Sequence, residues 1–138
     1  MKKITIIFSI FFILTGFSAC THTLPEWFVD GYIIEGKGAD EQFFIADEPV
    51  TIRWLTNVIS ANTVDHYVMT DHTEPFVDDN GNPCNYVTSK SVEFNVTYTK
   101  TGDHMVSFYP VFKEGYKSVT QPYHTIIYVY KTAPSVSK

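Results

Sequence analysis

The residue types that can do acid-base or metal chemistry are plentiful in this 138-residue chain, which carries five histidines, fifteen carboxylates and two cysteines. Their spacing decides what they are worth. His66 and His72 stand six residues apart, each preceded by an aspartate, Asp65 and Asp71. That spacing fits neither the i, i+2 pair of a strand-borne metal site nor the i, i+4 pair of a helical one, so no zinc site is expected. Asp78, Asn80 and Asn82 have the alternate spacing of a calcium loop, but Pro83 stands where the glycine belongs and Ser89 where the bidentate glutamate belongs. Asp78 and Asp79 are therefore only a weak calcium candidate at a loop tip. No nucleophile elbow, phosphate loop or dinucleotide fingerprint occurs, and Asp47-Glu48 are adjacent on a turn rather than opposed for acid-base work. The expectation is no catalytic residue, no cofactor and no metal. A hydrolase assembled from scattered groups stays open as the alternative, and its test is whether His66, Asp71 or Glu74 gathers with His104.

These residues sit between segments that alternate with period two, the signature of half-buried strands. The clearest lie in residues 92–112. On the first run Val92, Phe94, Val96 and Tyr98 share a face; on the second, Val106, Phe108 and Phe112 keep a similar rhythm across a turn at Thr101-Gly102-Asp103. Val50, Ile52 and Trp54 alternate with Thr51 and Arg53 after an Ala46-Asp47-Glu48-Pro49 turn, and TIIYVY at 125–130 reads as a closing strand. A first strand spans Trp27 to Glu35 and is broken at Asp30-Gly31, while the phase of residues 64–70 is ambiguous. Residues 71–86 are dense in turn formers, with Asn80-Gly81 as a hairpin or loop tip. About seven short strands and no amphipathic helix predict an all-β, antiparallel sandwich. Its core is expected from Val50, Ile52, Trp54, Phe94, Val96, Val106, Phe108, Ile127 and Val129.

Tyr98, Gly102, His104, Val106 and Phe108 resemble the Tyr-x-x-x-Gly-x-Tyr-x-Val-x-Leu pattern that ends polycystic-kidney-disease (PKD) domains and related bacterial immunoglobulin-like domains. The resemblance implies an immunoglobulin-like (PKD-like) fold in which His104 takes the place of a corner tyrosine. Its imidazole N–H would then bond a backbone carbonyl. The Trp-Asp-Phe-Gly-Asp-Gly segment of PKD domains is absent.

The N-terminus has the three-part layout of a secretory signal: Lys2 and Lys3, an apolar run from Ile4, and small residues before Cys20. That run, about 14 residues if taken to Phe17, is shorter than the roughly 20 of a bilayer span. Phe17-Ser18-Ala19-Cys20 resembles a bacterial lipobox, which implies cleavage before Cys20, acylation of that cysteine and a membrane anchor through it. By resemblance to lipoprotein sorting, Thr21 in place of the aspartate associated with inner-membrane retention implies the outer membrane of a Gram-negative envelope; the leaflet is left open. The organisation is then a signal at 1–19, a tether at 20–26, one sandwich at 27–131 and a tail at 132–138. With Cys20 acylated, Cys84 has no partner within the chain, and a packed thiol is expected there.

The formal net charge of −5, with no cluster of lysines and arginines, argues against nucleic acid as a partner. A small sandwich on a lipid anchor suggests a non-catalytic module that grips a glycan or an envelope protein, or an accessory subunit of an outer-membrane uptake complex. If Val106, Phe108, Ile127 and Val129 point inward, Met105, Tyr109, Tyr128 and Tyr130 form an outward aromatic strip fit for such a partner. The weightier expectation is that the 113–124 loop or the Trp27-Phe28 segment covers the strip, because large exposed apolar patches are uncommon on monomers.

Overall fold

The structure is a computed structural model that describes residues 27–58, 61–116 and 121–135. Cys20, with the expected signal and tether, lies outside the described residues. Among the described residues ten strands, rather than the expected seven or so, follow in order: β1 Trp27–Ile34, β2 Phe44–Ile45, β3 Pro49–Val58, β4 Val64–Asp71, β5 Phe76–Val77, β6 Pro83–Cys84, β7 Tyr86–Ser89, β8 Glu93–Tyr98, β9 Gly102–Phe112 and β10 Tyr123–Tyr130. They make two five-stranded sheets, β1-β3-β8-β5-β6 and β2-β10-β9-β4-β7. Every pairing is antiparallel except the short β2–β10 contact, where Phe44 and Ile45 lie parallel to Val129 and Tyr130.

The alternation in the sequence is what the sheets use. All nine expected core residues are buried, and so are Trp27, Ile34, Phe44, Tyr67, Met69, Phe76 and Tyr98. Aromatic rings tie the two inner faces together: Trp54 of β3 stacks on Phe108 of β9 at 5.1 Å, while Phe94 and Trp27 meet the same ring edge-on at 6.1 and 6.3 Å. Each such side chain contributes about 1.5–3 kcal/mol by leaving water. The ambiguous segment 64–70 resolves with Tyr67 and Met69 inward, because Met69 pairs with Phe108 across β4–β9 and must share its face. Asp71 follows them inward by the same period.

Irregular positions also follow the sequence. The break at Asp30-Gly31 is a β-bulge, with the register shifting between Val29 and Gly31 and Gly31 at φ 134°. The Asn80-Gly81 tip closes the β5–β6 hairpin, with Gly81 at φ 80° and its N–H donating to Asp78 O at 3.1 Å. Residues 92–112 span two sheets rather than one: β8 pairs with β3 and β5, β9 with β10 and β4, and the turn between them is the corner of the sandwich. Gln42 closes the loop after β1, its amide donating to Ile34 O and Lys37 O and its carbonyl accepting from Ile34 N at 2.6 Å.

Candidate functional site

The outward strip is partly present and differently divided. On β10, Ile126 and Tyr128 are 60% and 51% exposed, and Met105, opposite Ile126 on β9, is 40% exposed. Tyr130 is half-buried because its ring packs edge-on between Tyr128 at 4.7 Å and Phe43 at 6.0 Å. Tyr109 is half-buried too and sits in the other half of the face, opposite Val68 of β4. There it lines, with His66, Val68, Tyr86, Thr88 and Val111, a concavity of about 500 Å³. Of the covers expected from the sequence, residues 117–120 of the loop lie outside the described residues and Phe28 is itself exposed. Trp27 is inside the core, and the Tyr123 ring meets Trp54 edge-on at 6.0 Å.

What divides the face is a polar bar. Ser107 faces outward yet is only 2% exposed, because two imidazoles lie against it. Its Oγ is 2.6 Å from His72 Nε2 and 2.6 Å from His124 Nδ1, and Thr70 Oγ1 is 3.1 Å from the same His72 nitrogen. A serine hydroxyl has one proton, so it donates to one ring and accepts from the other. Register explains the meeting: His124 and Thr70 are the cross-strand partners of Ser107 on β10 and β4, and His72, whose backbone N–H donates to Met105 O at 2.8 Å, leans its ring back over the row. A serine beside an imidazole is half of a nucleophile-base pair. Here Oγ is covered by the rings, and among the described residues neither ring has a carboxylate to orient it, so the arrangement holds the face together rather than presenting a nucleophile.

The second cluster lies inside. His104, 1% exposed, sends Nε2 to Lys100 O at 2.6 Å, which is the imidazole-to-carbonyl bond implied by its place at the corner. The carbonyl only accepts, so Nε2 carries a proton, and a second proton lies in the 2.6 Å contact between Nδ1 and Asp71 Oδ2. Oδ1 of Asp71 accepts from Thr73 N at 2.8 Å and Glu74 N at 3.1 Å. Asp71 and His104 thus do gather, but both are sealed in the core with their polar atoms occupied, whereas His66 lies on the outer face against Asp65 at 2.7 Å. Glu74 joins the cluster through its backbone N–H. The pair pins the end of β4 to the corner before β9. Beside it the Tyr98 ring stands edge-on to His104 at 5.1 Å with a buried hydroxyl that has no partner among the described residues. Burial first, then the Asp71 charge and Tyr32, push this phenol well above its usual range.

The weak calcium candidates have other work. Asp78 Oδ1 accepts from Asn80 N and Asn82 N, both at 2.9 Å, and Asp79 Oδ2 accepts from Asn95 Nδ2 at 3.0 Å. Both line a second concavity of about 510 Å³ with Cys84, Glu93 and Asn95. Among the described residues no three histidines, cysteines, aspartates or glutamates come close enough to hold a metal ion. Cys84 is free and packs against the core, and burial followed by the Asp78 charge raises its thiol, which disfavours the thiolate a nucleophile needs. Asp65 on the surface is lowered, mainly by its hydrogen bond to His66 and then by Lys90.

Sequence reasoning named Asp71 with His104 only as one test of the hydrolase alternative, and it missed His72 with His124 through Ser107. Cross-strand pairing across distant segments makes both, and even the inward phase of Asp71 follows only from the pairing of Met69 with Phe108. No protein-family model matches the chain, and no curated protein matches it.

Proposed function

We propose that the chain is a non-catalytic binding or assembly module, immunoglobulin-like and close to PKD domains in fold, displayed on a Gram-negative outer membrane by an acylated Cys20. Its partner is a glycan or an envelope protein, and an accessory role in an uptake complex is one form of the same task. The strand order supports the fold reading: β1-β3-β8 opposes β10-β9-β4 as strands A-B-E oppose G-F-C, and an imidazole bonds the corner carbonyl where a tyrosine would.

The observation that carries the function is the exposure of Ile126, Tyr128 and Met105 together on the outer face of β9 and β10. Exposed apolar side chains that lie side by side on one sheet face are a feature of interaction surfaces, and tyrosine suits them because its ring adds apolar area while its hydroxyl stays wet. Nothing in the geometry favours the hydrolase alternative, since Ser107 beside its imidazoles is covered, the Asp71–His104 pair is sealed, and, among the described residues, His66 on the outer face meets only its neighbour Asp65. The test is an Ile126→Ala, Tyr128→Ala double variant carried through cross-linked pull-down from intact membranes and through a glycan array. It should melt as the parent does and lose its partner; retained binding would move the site to the loops and refute this reading. In the same assay Cys20→Ser should free the domain from the membrane fraction, and an uncut, membrane-held Cys20→Ser protein would overturn the lipid anchor.

A further inference from the structure

Two imidazoles from segments 52 positions apart, His72 after β4 and His124 on β10, converge on one hydroxyl in the middle of an exposed sheet face. We propose that His72 and His124 form an open two-imidazole site for a late first-row divalent metal ion, with Cu²⁺ the tightest. The assignment is independent of the partner-binding role.

Three observations carry it. The nitrogens that face each other, His72 Nε2 and His124 Nδ1, each lie 2.6 Å from Ser107 Oγ, so they are separated by no more than twice that distance. An ion held at about 2.0–2.1 Å from each nitrogen needs them within roughly 4.2 Å, a closure that small rotations of two solvent-exposed rings can supply. The rings are already gathered, with centroids 6.0 Å apart, on backbone fixed by the β4–β9 and β9–β10 ladders, so little ordering remains to be done on binding. The donor set is two nitrogens with hydroxyls of Ser107 and Thr70 beside them and no carboxylate, which suits copper, nickel and zinc rather than calcium or magnesium. Among divalent first-row ions an imidazole site prefers Cu²⁺. Only two protein ligands take part, so water or a partner's side chain completes the coordination, and affinity is modest. The third histidine of this face, His66, is tied to Asp65 instead.

The competing account is that the bar is a hydrogen-bond network only. The experiment titrates the full chain, purified in detergent without a polyhistidine tag and in a His22→Ala background, with Cu²⁺ by calorimetry and electron paramagnetic resonance. One equivalent should bind with nitrogen hyperfine structure from two imidazoles. Groups outside the ligand shell are worth about 10- to 100-fold in metal affinity, so His72→Ala and His124→Ala should each weaken binding by at least about tenfold. His66→Ala should bind as its parent does, and Ser107→Ala, which removes a competitor for both nitrogens without removing a ligand, should retain binding. Equal affinity in the His72→Ala, His124→Ala double variant, or a spectrum with a single nitrogen, would overturn the assignment. Circular dichroism of each variant separates lost binding from lost folding.

Discussion

Replacing Asp71 by alanine should unfold this domain more readily than any surface change, and the reason can be worked from three contacts. The carboxylate is bonded to His104 Nδ1 at 2.6 Å, Thr73 N at 2.8 Å and Glu74 N at 3.1 Å. A bond to a charged group contributes about 1.5–3 kcal/mol and a neutral one about 0.5–1.5, and the partners left behind are in or beside the core, where an unmet donor costs its full desolvation. The expected loss is about 3–5 kcal/mol, the range found when one member of a buried pair is removed. That is a large fraction of the roughly 5–15 kcal/mol that holds a domain together. Asp71→Asn is the informative companion. It keeps Oδ1 for the two backbone donors and can turn an amide N–H toward His104 Nδ1, whose ring keeps its Nε2–H on Lys100 O. It should therefore lose only about 1–2 kcal/mol. Urea unfolding followed by tryptophan fluorescence measures both, and a cycle with His104→Ala should show coupling of about 0.5–3 kcal/mol. A loss under about 1 kcal/mol for Asp71→Ala, or equal losses for the alanine and asparagine variants, would refute the reasoning.

Phe108 is fully buried against Trp27, Trp54, Tyr67 and Phe94, so Phe108→Ala should cost about 3–5 kcal/mol in the same urea assay. Alkali should also destabilise the fold: Tyr98, Tyr67 and Tyr32 all have phenols raised by burial, so above the unfolded value of about 10 the unfolded chain binds fewer protons than the native one, and stability falls as pH rises. Tyr98→Phe, which removes a hydroxyl with no partner among the described residues, should leave neutral-pH stability within about 0.5 kcal/mol or raise it, and should blunt the alkaline fall in a denaturation series.

The sequence by itself determined the all-β class, the longer strands and nine residues of the core, but neither the short strands within 71–86 nor the phase of 64–70. Side chains in a strand alternate between faces, so Val50, Ile52 and Trp54, or Val106 and Phe108, declare their inward side without knowledge of their partners, and all are buried. Glycines mark positions of positive φ, which placed the bulge at Gly31 and the tip at Gly81. The resemblance of the Tyr98–Phe108 stretch to the end of PKD-like domains implied an imidazole-to-carbonyl bond at the corner, and His104 Nε2 does meet Lys100 O. Tertiary structure alone decided which polar residues meet. Asp71 reaches His104 across 33 positions and His124 reaches Ser107 across 17, because register between β4, β9 and β10 is set by the burial of whole strands and not by anything local to those side chains. The same register split the expected strip: Tyr109 and Tyr128 do alternate outward, but the row through Ser107 sets imidazoles between them. Face is a local property of a strand, whereas neighbourhood is a property of the sheet.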